Sequence, residues 1–290
     1  MVPSTGESAQ PNSNPQDDAL PHAQVSCPAY HLPRRVAADL IWAAGWGHRR
    51  SFAYDSRRAL QGLDPPLEVL GAAHIPPEGP CLIVCNHYSR PGFGAWWIAL
   101  GISAAVAAQR RPGAPTDVHW VMTAAWRYPE GDWRRWVITP VTAWAFARAA
   151  RVYGHVTMPP MPPHPQEMEA RAAAVLRTVR LAQELTESGG LLGLAPQGYD
   201  TADPLGCPPK GAGAFIALLA NGAMPILPVG VTEQDGRLRL SFGQPFAPRI
   251  PPRRADRDSA VIEQVMAALA HQLGWTKSTT DCITGNQEAP

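Results

Sequence analysis

The sequence predicts one α/β domain over residues 31–275, a mainly parallel central sheet flanked by helices. Three observations carry that prediction. Two short apolar runs, Leu82-Ile83-Val84-Cys85 and Leu191-Leu192-Gly193-Leu194, each stop abruptly on polar, turn-prone residues. Buried strands of a parallel sheet read this way where they deliver groups to the carboxyl edge. Longer runs of helical period alternate with the strand-like ones. Hydrophobic residues make up 45% of the chain, enough for a full core, and no shift of composition divides it.

The elements follow in order. Residues 36–47 read as a short apolar helix with Trp42 and Trp46 inside and Asp39 within it. Arg34-Arg35 and His48-Arg49-Arg50 flank it, which suits a helix lying in a membrane interface. The same pattern suits an ordinary core-packing helix equally well. Residues 67–70 and 82–85 read as strands, and 96–108 as an apolar helix. Between residues 165 and 189 an amphipathic helix places Met168, Ala172, Val175, Val179 and Ala182 on one stripe. Arg177, Arg180, Glu184 and Glu187 face away from it, and Gly189 ends it. A strand at 191–194, a helix at 212–221, a strand at 226–231 and a half-exposed strand at 238–242 come next. Asp258 is positioned to cap a last helix running through Leu273.

The 32 prolines cluster around residues 159–165, 204–209 and 245–252, between predicted elements, and read as stiff loops. Residues 1–30, rich in Ser, Asn, Gln and Pro, lack the basic start and apolar core of a signal peptide. They and the polar tail at 276–290 are expected to be disordered. No stretch reaches the ~18 consecutive apolar residues of a spanning helix.

Composition narrows the function. Net charge is +1, so no global basic field points to nucleic acid. The cysteines, Cys27, Cys81, Cys85, Cys207 and Cys282, show no repeated metal spacing, which reads as a reducing compartment without zinc. The sequence carries no Gly-x-Ser-x-Gly elbow, no phosphate-cradling Gly-x-x-x-x-Gly-Lys-Ser/Thr loop and no His-Glu-x-x-His pair. Trp120, Trp126, Trp133 and Trp136, mixed with Arg127, Arg134 and Arg135, form either a membrane-facing surface or a stacked structural patch.

Five blocks in order resemble the glycerolipid acyltransferases of the glycerol-3-phosphate and lysophosphatidate type. Asn86-His87 is similar to the start of that family's Asn-His-x-x-x-x-Asp block. Ala195-Pro196-Gln197-Gly198-Tyr199-Asp200-Thr201 occupies the place of Phe-Pro-Glu-Gly-Thr-Arg-Ser. Pro209-Lys210-Gly211 resembles the Lys-Gly segment that opens the next helix. The proline-flanked strand block at 223–231 and the turn Phe242-Gly243-Gln244-Pro245 complete the series.

The resemblance implies acyl transfer from a thioester, acyl-CoA or acyl-carrier protein, to a lipid hydroxyl or amine, with His87 as general base. It implies no metal or other cofactor, and a cytoplasmic protein peripheral at a membrane lipid surface. Three charged motif positions depart from the family. The Asp position is Gly92, the Glu position is Gln197, and the Arg position is Asp200. Asp200, brought across the cleft, is expected to hold the His87 imidazole in place of the absent Asp. Asn86 and Gly198 shape the site, Arg90 and Lys210 are candidate phosphate-holding cations, and Gln197 and Gly211 complete the expected binding set. The alternative is an inactive relative that binds acyl chains or lipid surfaces. His87 and Gln197 are expected on one rim, and Gly92→Asp is expected to replace part of what Asp200 supplies.

Overall fold

The computed structural model describes residues 30–275, apart from 129–130, 162–163, 199–204 and 222. The expectations for residues 1–29 and 276–290 lie outside the described residues.

Seven strands form one sheet: β1 (Glu68–Leu70), β2 (Cys81–Cys85), β3 (Val118–Thr123), β4 (Val156–Met158), β5 (Leu191–Leu194), β6 (Ile226–Gln234) and β7 (Arg237–Phe242). Their order across the sheet is β1-β7-β6-β2-β5-β3-β4. The β6–β7 hairpin is antiparallel, and every other neighbouring pair is parallel. The helices are α1 (Arg34–Trp46), α2 (Phe52–Leu60), α3 (Trp96–Gln109), α4 (Arg134–Tyr153), α5 (Met168–Ser188), α6 (Ala212–Ala220) and α7 (Arg257–Gln272).

Period-two alternation divides the core into two layers. On β2, Cys81, Ile83 and Cys85 join α2 and α3 on one face, while Leu82 and Val84 join α5, α6 and α7 on the other. The neighbouring β5 repeats this, with Leu191 on the α3 side and Leu192 and Leu194 on the α6 side. Both strands are buried on both faces, which is why they read as unbroken apolar runs. Gly193 admits the flat Trp120 indole of β3, its register partner: an added Cβ would lie 2.6 Å from that ring.

Sequence patterning places the buried face of α5 in part: Ala182 is buried and Val179 packs against the core. Met168 and Ala172 are exposed, and the residues turned inward are Ala174, Thr178, Ala182 and Leu185. Thr178 is tolerated there because its hydroxyl donates to the Ala174 carbonyl at 2.8 Å. Asp258 is likewise not the cap of its own helix. Its carboxylate accepts from the Gly211 N–H at 2.8 Å and the Ala214 N–H at 3.1 Å, so it caps α6. The two helices meet so closely that a Cβ on Gly213 would fall 2.0 Å from the Asp258 carbonyl oxygen.

Cys81 and Cys85 are free and buried, and burial pushes both thiols up to about 12. Cys207 is disulfide-bonded, which departs from the reducing reading of the cysteines. Spacing along a chain carries no information about which thiols meet in space.

A charged network joins the first helices to the end of α4. Asp55, buried on α2, accepts from Arg50 Nε at 2.7 Å and from the Tyr153 hydroxyl at 2.9 Å. Arg58 of α2 holds Asp39 of α1 at 2.5 Å. Behind Tyr153 lies His155, stacked on the Tyr153 ring and edge-on to Phe52. The Trp120 N–H donates to His155 Nδ1 at 3.2 Å, so a neutral ring carries its proton on Nε2. That Nε2 is buried and meets no hydrogen-bond partner among the described residues.

Candidate active site

The chain leaves β2 through α3 on one face of the sheet and leaves the adjacent β5 through α6 on the other. Adjacent strands whose connections depart to opposite faces open a crevice at their carboxyl ends, the usual ligand position of open α/β sheets. His87 stands two residues beyond β2, and Gln197 three beyond β5, so both come to that crevice. The His87 N–H donates to Gln197 Oε1 at 3.3 Å across 110 positions of sequence.

Asn86 and Gln197 hold His87 from its two sides. Asn86 is fully buried; its Nδ2 donates to the Val231 carbonyl at 3.0 Å, and the Val231 N–H donates to its Oδ1 at 2.7 Å. The amide thereby continues the β2–β6 ladder one step past Cys85↔Val229 and fixes the backbone that presents the imidazole. Asn86→Ala should leave two buried backbone groups unmatched and cost about 2–4 kcal/mol. Urea denaturation checks it, and a midpoint within error of wild type would contradict it. Gln197 is also fully buried; its Nε2 meets no partner among the described residues. His87 itself is half-buried.

The loop after His87 explains why position 92 holds no carboxylate. The Arg90 N–H donates to the Phe93 carbonyl at 3.1 Å, and the Phe93 N–H returns to the Arg90 carbonyl at 2.9 Å. Pro91-Gly92 makes the corner, with Gly92 at φ 82, in the left-handed region that the third residue of a type II turn adopts. Phe93 is buried beneath it against Tyr30 and Tyr88.

Arg90 does not stand as a lone cation. Its Nε donates to Glu233 Oε2 at 2.5 Å, its Nη2 pairs with Glu233 Oε1, and its Nη1 donates to the Pro91 carbonyl at 2.7 Å. The Tyr30 hydroxyl donates to the same Glu233 at 3.0 Å. The pairing of Arg90 and Glu233 spans 143 positions and had no signal in the local sequence. Lys210 is exposed beside Gly211 at the amino end of α6, on the same carboxyl edge. The Gly211 N–H, expected to be open to an anion, is taken by Asp258. Gly198 is exposed at φ 69. Asp200 lies outside the described residues. Among the described residues no group of three or more His, Cys, Asp or Glu side chains is placed to hold a metal ion.

The site thus presents a half-exposed imidazole on a backbone clamped from two strands. No protein-family model matches the chain, and no curated protein matches it by sequence. Among solved structures, the 1-acyl-sn-glycerophosphate (LPA) acyltransferase PlsC from Thermotoga maritima is similar at 16% identity. The likeness covers 83% of this chain and 84% of that one with a TM-score of 0.40, too loose to assign chemistry.

Proposed function

We propose that this chain transfers an acyl group from a thioester, acyl-CoA or acyl-carrier protein, to a hydroxyl or amine on a lipid. The observation that carries this reading is His87 at the β2/β5 switch point, its backbone held by Asn86 and Gln197. The imidazole takes the acceptor's proton as its oxygen or nitrogen attacks the thioester carbonyl. The tetrahedral adduct expels the thiolate, and the imidazolium returns the proton to sulfur. The site needs a carboxylate to hold one tautomer, and Asp200 is assigned that role.

Acceptor choice follows from charge. Glu233 already neutralises Arg90, and the motif position that carries Arg in the family is Asp200. Both features disfavour a phosphomonoester acceptor and favour a less anionic lipid. With Arg90 engaged by Glu233, Lys210 is the cation we assign to donor phosphate, with Gly198 and Gly211 shaping the loop and helix start beside it.

Mass spectrometry of lipids from cells with and without the protein tests the reading. An acylated lipid should accumulate with wild type and disappear with His87→Ala, whose loss we expect at about 10³-fold or more in rate. Lipid profiles that do not differ between cells with wild type and cells without it would reject transfer. The second reading, an inactive binder of acyl chains, would then hold; the Pro91-Gly92 corner, which disfavours the family's carboxylate, favours it.

A further inference from the structure

α4 is an unusual surface helix. Its leading half is exposed nearly all round: Trp133 just before it, then Arg134, Arg135, Trp136, Val137, Pro140 and Val141. Trp136 is 78% exposed, Trp133 67% and Trp144 57%. A solvated helix ordinarily turns polar residues outward and buries an apolar stripe; α4 turns its apolar residues to solvent. The adjacent α1, packed against it, does the same with Ala38, Ile41, Trp42, Gly45 and Trp46. Both helices are firmly mounted, by the Asp39–Arg58 and Arg50–Asp55–Tyr153 contacts and by the Arg50 N–H on the Val152 carbonyl at 3.0 Å.

Among the described residues the charges around these stripes are mostly positive. α4 carries Arg134, Arg135, Arg148 and Arg151 and no acidic residue. Arg34 and Arg35 open α1, and exposed His48 and Arg49 follow it. The acidic groups nearby among the described residues are each bonded to an arginine, Asp39 to Arg58 and Asp132 to Arg134, which leaves Arg135, Arg148 and Arg151 of α4 outside those two pairs. A second copy of the chain docked here would set arginines against arginines. An anionic bilayer supplies phosphate to the arginines and an apolar layer to the tryptophans.

We infer that α1 and α4 together form a docking face for an anionic lipid bilayer, with the leading half of α4 as the inserted part. α4 connects β3 to the parallel β4, so its amino end lies at the carboxyl edge of the sheet, the edge that holds His87. The inserted turns therefore stand on the side of the molecule where the crevice opens. No helix among the described residues is long and apolar enough to cross a membrane, so the contact is interfacial.

The test is sedimentation of the full chain with vesicles of phosphatidylcholine, with and without phosphatidylglycerol. Partition should rise with phosphatidylglycerol, fall with salt, and drop roughly tenfold or more in W133A/W136A. Circular dichroism checks that this surface variant is folded. Brominated acyl chains should quench wild-type tryptophan fluorescence more than that of the variant. His87→Ala should partition as wild type does, so a failure here is separate from a failure of the acyl-transfer reading. Protein that stays in the supernatant with every vesicle overturns the inference. So does a lipid-free dimer that W133A/W136A dissociates, which would give the face to a second copy.

Discussion

Replacing Asp200 by Asn should lower the rate of acyl transfer roughly 10⁴-fold, the scale on which a histidine base suffers when its orienting carboxylate is lost. The expectation rests on what the rest of the site withholds. Gln197 touches the His87 backbone but is neutral. Glu233 is committed to Arg90 and Tyr30. Position 92 is the corner of a Pro-Gly turn. In sequence Asp200 follows, by three residues, Gln197, whose side chain reaches the His87 backbone. The loss should fall on kcat and leave KM little changed, because an orienting group acts on the reacting proton and not on ground-state binding. Transfer by Asp200→Asn at the wild-type rate would remove Asp200 from the mechanism. The structure also limits what Gly92→Asp should do. A Cβ there would have room, with Arg90 Nη1 its nearest neighbour at 3.5 Å, but φ is 82. An L side chain in that conformation costs about 1–2 kcal/mol, so the turn resists the carboxylate and rescue of Asp200→Asn should be partial.

Acid should destabilise this protein through His155, and His155→Gln should relieve much of the effect. Burial lowers the His155 pKa from its ordinary 6.5 to about 3, with nearby His119 adding to the shift. Above pH 6.5 the ring is neutral folded or unfolded and costs nothing. Below it the unfolded chain binds a proton that the folded chain refuses, so stability falls as pH falls. The slope is about 1.4 kcal/mol per pH unit, continuing toward pH 3 for a total near 5 kcal/mol. Gln at 155 can accept the Trp120 N–H without titrating. Wild-type and His155→Gln midpoints in urea, compared between pH 7 and pH 4, should diverge steadily. Parallel curves would show that the ring finds a proton-accepting partner and is not the acid-sensitive group.

The parts of the fold legible in the sequence are those where burial and chemistry agree locally. β2 and β5 are apolar on both faces and end on His87 and near Gln197, so their runs are uninterrupted and their ends are marked. β7 is buried on one face only and alternates as such. What escaped had a reason in each case. α4 shows no helical stripe because its exposed side is apolar too, and it contains Pro140. α2 hides Asp55 in the core, a burial that the distant Tyr153 and the neighbouring Arg50 and Arg58 make tolerable. The short β4 is only half-buried and gives little contrast. At the site, Asn86, His87 and Gln197 were readable as strand-end groups, whereas the engagement of Arg90 by Glu233 and of Gly211 by Asp258 depended on residues 143 and 47 positions away.

The outermost strand has a bearing on how the chain is made. β1 bonds only to β7, with Glu68 also reaching Arg239 across 171 positions. On a ribosome the chain appears from its amino end, so β1 emerges long before the hairpin that receives it. Contacts of such long separation form late, because closing the intervening loop costs entropy before any pairing repays it. Through most of synthesis, then, α1 and its tryptophans stand at the head of an unfinished sheet, and β1 locks in only when the last strand arrives.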